Sequence, residues 1–195
     1  YHVPLMSLIH LLNAQIDNIP FVDGYIKADE NKIKTYKKEF FDNDCLKIGI
    51  SWHGAAIGNM LRNVPIESFF PLARMHNVKV YSFQKEPYSM DLKRLPYNVK
   101  IEDLGATFKD FSDTAAAMAN VDLFVTSDNA VFQLAAAMGI KTCLLLNKNA
   151  EWRWFFDDKK TPWYSSVRIF KKENELDSWD LPMQKVIEAI NENQI

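Results

Sequence analysis

Polar residues able to hold an anion recur where short apolar runs end. The segment Val125-Thr-Ser-Asp-Asn-Ala130 is the most informative. There the apolar Leu123-Phe-Val125 gives way to Ser127, Asp128 and Asn129, and a helix-forming stretch starts at Ala130. A helix start offers N–H groups without intrahelical partners and the positive end of the helix dipole, which suits a diphosphate. The same residue types cap helices, because their short side chains accept from first-turn N–H groups. Both roles stay open for Asp128 and Asn129, and likewise for Asp113 and Thr114 in Asp110-Phe-Ser-Asp-Thr114.

Tyr81-Ser-Phe-Gln-Lys85 ends another apolar run with Gln84 and Lys85. A lysine placed there neutralises phosphate as a point charge; the alternative is a solvated loop. His53-Gly-Ala-Ala-Ile-Gly58-Asn59 looks superficially like a phosphate loop. It is not GxGxxG, and no GKS or GKT follows. Arg62, just after it, faces either an anion or solvent. Glu151-Trp-Arg-Trp154 and Thr161-Pro-Trp-Tyr164 gather aromatic rings around one arginine. Such rings are platforms for sugars and bases, or they cover a sheet edge as core. At least one tryptophan should be core, since an exposed pair would be a costly apolar patch. Arg153 keeps its charge and, if partly buried, needs an acidic or carbonyl partner. Glu151, Asp157 and Asp158 are the nearest acids in sequence.

Other chemistries lack their residues. His2, His10, His53 and His76 form no i,i+4 pair and no Cys/His spacing, so no metal site is expected. Asp157-Asp158 sits in a charged stretch and is not read as a metal pair. No GxSxG occurs, which leaves no hydrolase elbow. The 23 basic and 25 acidic residues give a net charge of −2, against a nucleic-acid footprint. No stretch reaches the roughly 18 apolar residues of a membrane helix. The two cysteines, Cys45 and Cys143, lie in apolar runs far apart and fit free thiols in a reducing compartment.

The elements that must position these residues follow an alternating rhythm. Strands are expected at Lys47–Trp52, Val78–Phe83, Val99–Asp103, Leu123–Ser127 and Thr142–Leu146, with a further candidate at Val167–Phe170. Helices are expected at Ile66–His76, Phe111–Asn120, Ala130–Met138 and Ser178–Asn193. Apolar strands such as Cys143-Leu-Leu-Leu146 are buried on both faces, as in a parallel sheet. Strand–helix alternation then gives an α/β fold, a doubly wound, mostly parallel, Rossmann-like sheet over 46–195. Residues 1–45 read as a lead-in: a partly helical apolar start, a turn at Ile19–Gly24, and a helix over Ala28–Phe41 capped by Asp29. The start carries no basic region or cleavage site and reads as an internal cut through a longer protein.

Taken in order, these segments resemble a family. Lys47-Ile-Gly-Ile-Ser-Trp-His-Gly54, Arg62-Asn-Val-Pro-Ile66, Tyr81-Ser-Phe-Gln-Lys85, Asp110-Phe-Ser-Asp-Thr-Ala115, Val125-Thr-Ser-Asp128, Trp152-Arg-Trp154 and Pro162-Trp-Tyr164 follow the order seen in bacterial proteins similar to the ADP-heptose–LPS heptosyltransferases. The nearest look-alikes carry tetratricopeptide repeats ahead of a glycosyltransferase family 9-like domain. The resemblance spans about Lys47 to Phe170.

It implies the nucleotide-sugar-binding, C-terminal half of a cytoplasmic GT-B glycosyltransferase. Such an enzyme moves a sugar to an acceptor hydroxyl on a glycan, lipid or protein, with no metal or other cofactor. By matching position, Asp128, Asn129 and Ala130 would hold the donor diphosphate and sugar. Gln84 and Lys85 would lie beside the nucleotide, Asp113 and Thr114 would support the rim, and Arg62 would face the phosphates. An upstream domain of the same chain is the expected partner. Members usually have Thr at the place of Asn129, His at Gln133 and a small residue at Phe132, and a longer loop between Gly54 and Arg62. Those departures leave a second expectation: a catalytically silent nucleotide-sugar-binding or scaffold module.

Overall fold

The computed structural model describes residues 2–54, 62–154 and 159–194. Gly58 and Asn59 of the first loop, and Asp157 and Asp158, lie outside the described residues.

One six-stranded sheet organises the chain. Its strands are β1 (Leu46–Ser51), β2 (Val78–Ser82), β3 (Ile101–Asp103), β4 (Leu123–Ser127), β5 (Thr142–Leu146) and β6 (Val167–Lys171). They pair in the order β3-β2-β1-β4-β5-β6, every neighbour parallel. That is the doubly wound order, with its switch point between β1 and β4. β4 and β5 are buried along their whole length, as their continuous apolar character requires.

The helices are α1 (Leu8–Leu11), α2 (Glu30–Phe40), α3 (Phe70–Ala73), α4 (Phe111–Met118), α5 (Ala130–Ala137) and α6 (Asp180–Asn191). Side chains alternate between the two sheet faces. Ile48, Ile50, Val80, Leu123, Val125, Cys143 and Leu145 pack with Leu72 of α3 and Met183, Val186 and Ala189 of α6. On the other face Tyr81, Phe83 and Phe124 pack with Ala117 and Met118 of α4, Ala135 of α5, and Phe41 after α2. Leu144 and Ile169 continue that face against Phe132, Ala136 and Trp154. Burial pushes the Cys143 thiol up to about 12, so it behaves as a small apolar residue.

Most expected elements shift by a residue or two at an end, and three of the differences have a plain physical cause. Ile66–His76 is a 3-10 turn, Ile66–Phe69, followed by the single-turn α3. Pro71 has no N–H and crowds the carbonyl four residues back, so a continuous helix cannot form. Asn77, at φ 57°, then turns the chain into β2. β3 starts at Ile101, not Val99, because Val99 N–H is taken by the Pro96 carbonyl in a turn. β1 stops at Ser51, and the donors of Trp52 and His53 turn to Gln84.

Residues 22–41 pack on this body. Asp29 caps α2 by accepting from Lys32 N–H at 2.9 Å. Tyr25 and Ile26 donate to the Ala137 carbonyl at the end of α5. Gly24, at φ 111°, lets the backbones touch: a Cβ there would stand 2.8 Å from Gly139 N. In contrast, no residue of α1 or the flanking 3-10 turns is buried, and Leu5, Met6, Leu11 and Leu12 are exposed. Among the described residues no helix is long and apolar enough to cross a membrane.

Phe132 shows how a bulky residue serves this packing. It is fully buried and meets Trp154 edge-on at 5.3 Å and Tyr164 at 6.3 Å. It therefore ties α5 to the segment after β5. Phe132→Ala is predicted to lower unfolding stability by about 3–5 kcal/mol, measured by chemical denaturation, through the cavity it leaves.

Candidate functional site

The candidate residues gather along the carboxyl edge of the sheet, where open α/β sheets bind ligands. A cleft of about 280 Å³ opens there beside the β1–β4 switch point. His53 and Gly54 line it from the end of β1, Gln84 and Lys85 from the end of β2, and Asn129, Ala130 and Val131 from the start of α5. These are the sequence-singled loops brought to one place. The cleft is not the largest space among the described residues. A space of about 680 Å³ lies at the opposite edge, lined by Lys141, Ser166 and Gln194 among others. The carboxyl edge is smaller because its side chains fold back onto the loops.

Gln84 shows this folding back. It is 7% exposed, and its Oε1 accepts from His53 N–H at 2.9 Å, Trp52 N–H at 3.2 Å and Ser51 Oγ at 3.3 Å. Those donors are what β1 leaves open when it ends. Gly105 makes room for this arrangement: a Cβ on it would lie 1.9 Å from the Gln84 carbonyl oxygen.

Asn129 is the cap of α5, accepting from Phe132 N–H at 3.0 Å. Its Nδ2 lies 3.1–3.3 Å from the hydroxyls of Ser51, Ser127 and Thr126. One amide thus knots β1, β4 and the helix start. Beyond it, exposed Ala130 and then Val131 present first-turn N–H groups that no helical carbonyl reaches.

Asp128 does not cap α5, since Asn129 fills that role. It is 7% exposed and accepts from Trp154 Nε1 at 3.0 Å and Arg153 Nη2 at 3.1 Å. Arg62 Nη1 is 3.9 Å from the same oxygen, and Arg62 also pairs with Glu151. Arg62 thus faces two carboxylates. Arg153 has the acidic partners its charge requires, in Asp128 and Glu151. Trp154 is the core tryptophan, at 2% exposure, and Trp152 is exposed.

Lys85 Nζ donates to the Phe108 carbonyl at 2.5 Å, on the loop leading to α4. At α4 the cap is Asp110, whose side chain accepts from Ser112 and Asp113 N–H. Asp113 sits inside the first turn. It accepts from Lys32 Nζ at 2.6 Å and Lys109 N–H at 3.0 Å. Thr114 is buried, and its hydroxyl donates back to the Asp110 carbonyl at 3.2 Å. Asp113 and Thr114 therefore fasten the first turn of α4, to Lys32 of α2 and to the Asp110 carbonyl.

Sequence reasoning missed the pairing of His53 with Tyr88. The His53 ring stacks on Tyr88 at 3.3 Å. Its Nε2 accepts from Asn63 Nδ2 at 2.9 Å, which leaves Nδ1 as the protonated nitrogen donating to the Gly54 carbonyl at 2.8 Å. No spacing announces this, because Tyr88 comes from the loop after β2 while His53 and Asn63 belong to the one after β1. Among the described residues no group of three or more His, Cys, Asp or Glu side chains is placed to hold a metal ion.

The Lys32–Asp113 pair carries a pH signature. The hydrogen bond from Lys32 holds the Asp113 carboxyl below its ordinary value, and the same bond raises Lys32. A depressed carboxyl stabilises above the unfolded value, near 3.9, and that stabilisation fades as pH falls through the folded value. A raised lysine stabilises below about 10.4 and loses this only above it. The stability difference between wild type and Asp113→Asn should hold from about pH 5 to 9 and shrink by pH 3. Urea unfolding at pH 7 and pH 3 measures it.

No family model matches the chain, and no curated protein is similar to it in sequence. Solved structures do share its shape. The E. coli ADP-heptose LPS heptosyltransferase II superposes with a TM-score of 0.63 at 14% identity, covering 87% of this chain and 54% of that one. A glycosyltransferase family 9 protein from Veillonella parvula DSM 2008 gives 0.65 at 16% identity, covering 87% of this chain and 53% of its own. The chain spans about half the length of the structures it matches. In fold, it is a Rossmann-like α/β domain of the kind that makes up about half of a family 9 glycosyltransferase.

Proposed function

We propose that this domain is the donor-binding, C-terminal half of a metal-independent glycosyltransferase, and that it binds a nucleotide-diphosphate sugar at the carboxyl edge of the sheet. The observation that carries the reading is the cleft at the β1–β4 switch point. There the open first turn of α5 lies with Lys85 around one space of about 280 Å³. Free N–H groups, a helix dipole and a cation together favour a diphosphate. The two solved structures of similar fold bear glycosyltransferase titles, which supports the same class of substrate.

In the transfer, the bond between the sugar's anomeric carbon and the diphosphate oxygen breaks. The acceptor hydroxyl oxygen forms the new bond, and its proton goes to a base. Charge develops on the departing diphosphate, and preorganised donors aimed at it lower the barrier. Ala130 and Val131 N–H, Lys85 and Arg62 are the groups we assign to that task. Asn129, Gln84, Asp113 and Thr114 hold the rim in place, and Asp128 orients the segment after β5. The base and the acceptor, a glycan, lipid or protein, belong to an upstream domain. The cytoplasm suits a domain whose Cys143 is a buried free thiol.

One observation favours a second reading, binding without transfer. Gln84, Asp128 and Asn129 already spend their side chains on internal hydrogen bonds. A donor would then meet backbone donors and cations only.

A thermal-shift panel of nucleoside diphosphates and nucleotide sugars tests the proposal. A true ligand at 100 times its Kd should add about 2.7 kcal/mol of stability. Lys85→Ala should weaken the best ligand about tenfold, as expected for a lost charge-assisted contact. No stabilisation by any compound of the panel would refute donor binding. Binding without release of sugar to acceptors, in the presence of the partner domain, would select the second reading.

A further inference from the structure

Four charged side chains link three loops at the carboxyl edge. Arg62, after β1, pairs with Glu151, after β5. Glu151 also takes Arg153 Nη2 at 2.9 Å, and that nitrogen donates to Asp128 at 3.1 Å. The two carboxylates differ in setting. The Asp128 side chain is 6% exposed and additionally bonded to Trp154. Glu151 is 34% exposed, as is Arg62.

A pair this exposed is weakly held, because water and salt screen it and two long side chains must be ordered. A phosphate offers a guanidinium more acceptor oxygens, in a geometry that it grips with two parallel bonds. Arg62 lies within 3.9 Å of Asp128, two residues before the open first turn of α5. Arg62, Glu151 and Asp128 line a small recess of their own rather than the cleft at that turn, so Arg62 must leave Glu151 to meet a diphosphate there, and Glu151 is the group that competes for it.

The geometry points to Glu151 as an internal competitor for the anion: its carboxylate holds Arg62 when no ligand is bound, and the diphosphate of the donor displaces it. The inference rests on the donor-binding reading above. Asp128 keeps Arg153 and Trp154 throughout and acts as a positioning residue. Glu151 thereby raises the charge that a ligand must supply and selects diphosphates over weaker anions such as carboxylates.

Calorimetric titration of the full chain with inorganic diphosphate, and separately with ADP, tests this. Glu151→Gln should tighten both by about two- to fivefold, the range expected for removing one exposed ion pair from competition. Glu151→Ala should give the same gain, which separates competition from any folding defect of one variant. In an Arg62→Ala background the gain should vanish, because nothing is left to compete for. Unchanged or weaker binding by both Glu151 variants, with wild type still binding ADP, would overturn the inference and leave donor binding standing. A gain confined to ADP would place Glu151 at the nucleoside and overturn it too. If wild type binds neither probe, the donor-binding reading fails, and this inference fails with it.

Discussion

Where β1 ends, its backbone donors lose the strands that satisfied them. A buried N–H without a partner costs about 1–3 kcal/mol, so the end of the central strand must be closed by something else. The Gln84 side-chain carbonyl closes it, taking Trp52 and His53 N–H together. Asn129 does the matching work at the end of β4, capping α5 while its amide reaches Ser51, Thr126 and Ser127. These two amides bind the loops to the sheet at the switch point. The cleft exists because they hold its walls, and the helix start is open because Asn129 satisfies only part of it.

Around that knot the remaining charges are arranged in pairs across loops. Asp128 gathers Arg153 and Trp154 from beyond β5. Asp113 gathers Lys32 from α2, which makes the lead-in helix a support of the rim. Lys85 fastens the loop before α4 through the Phe108 carbonyl. At the far edge, the close approach of Gly24 to Gly139 docks the lead-in on the end of α5. The domain is thus braced at both edges, and its ligand edge is preorganised more by internal bonds than by bulk.

The sheet was legible because its strands are buried on both faces and read as unbroken apolar runs. β4 and β5 have the bounds that their composition suggests. The helix after β1 was overestimated because Pro71 carries no signal in an apolar periodicity, yet forbids the helix. At the site, Ser-Asp-Asn before an apolar helix announced a special turn, and the turn is there. Its division of labour was not legible: Asn129 caps and Asp128 does not, because the partners of Asp128 lie about 25 residues onward on another loop. Long-range pairings such as Lys32 with Asp113, or His53 with Tyr88, leave no trace in local spacing. Phe132 departs from the pattern of the family that the sequence resembles, and the packing against Trp154 and Tyr164 gives the bulky ring its place.

The central claim is that the carboxyl edge at the β1–β4 switch point is where a nucleotide diphosphate binds. Amide shifts of the isotope-labelled protein during titration with ADP locate binding residue by residue. The account predicts saturable changes first at Gly54, Lys85, Ala130 and Val131, with Thr142 and Val167 at the opposite edge unmoved. Changes confined to the larger cavity near Lys141, Ser166 and Arg168, or no saturable change, would contradict it.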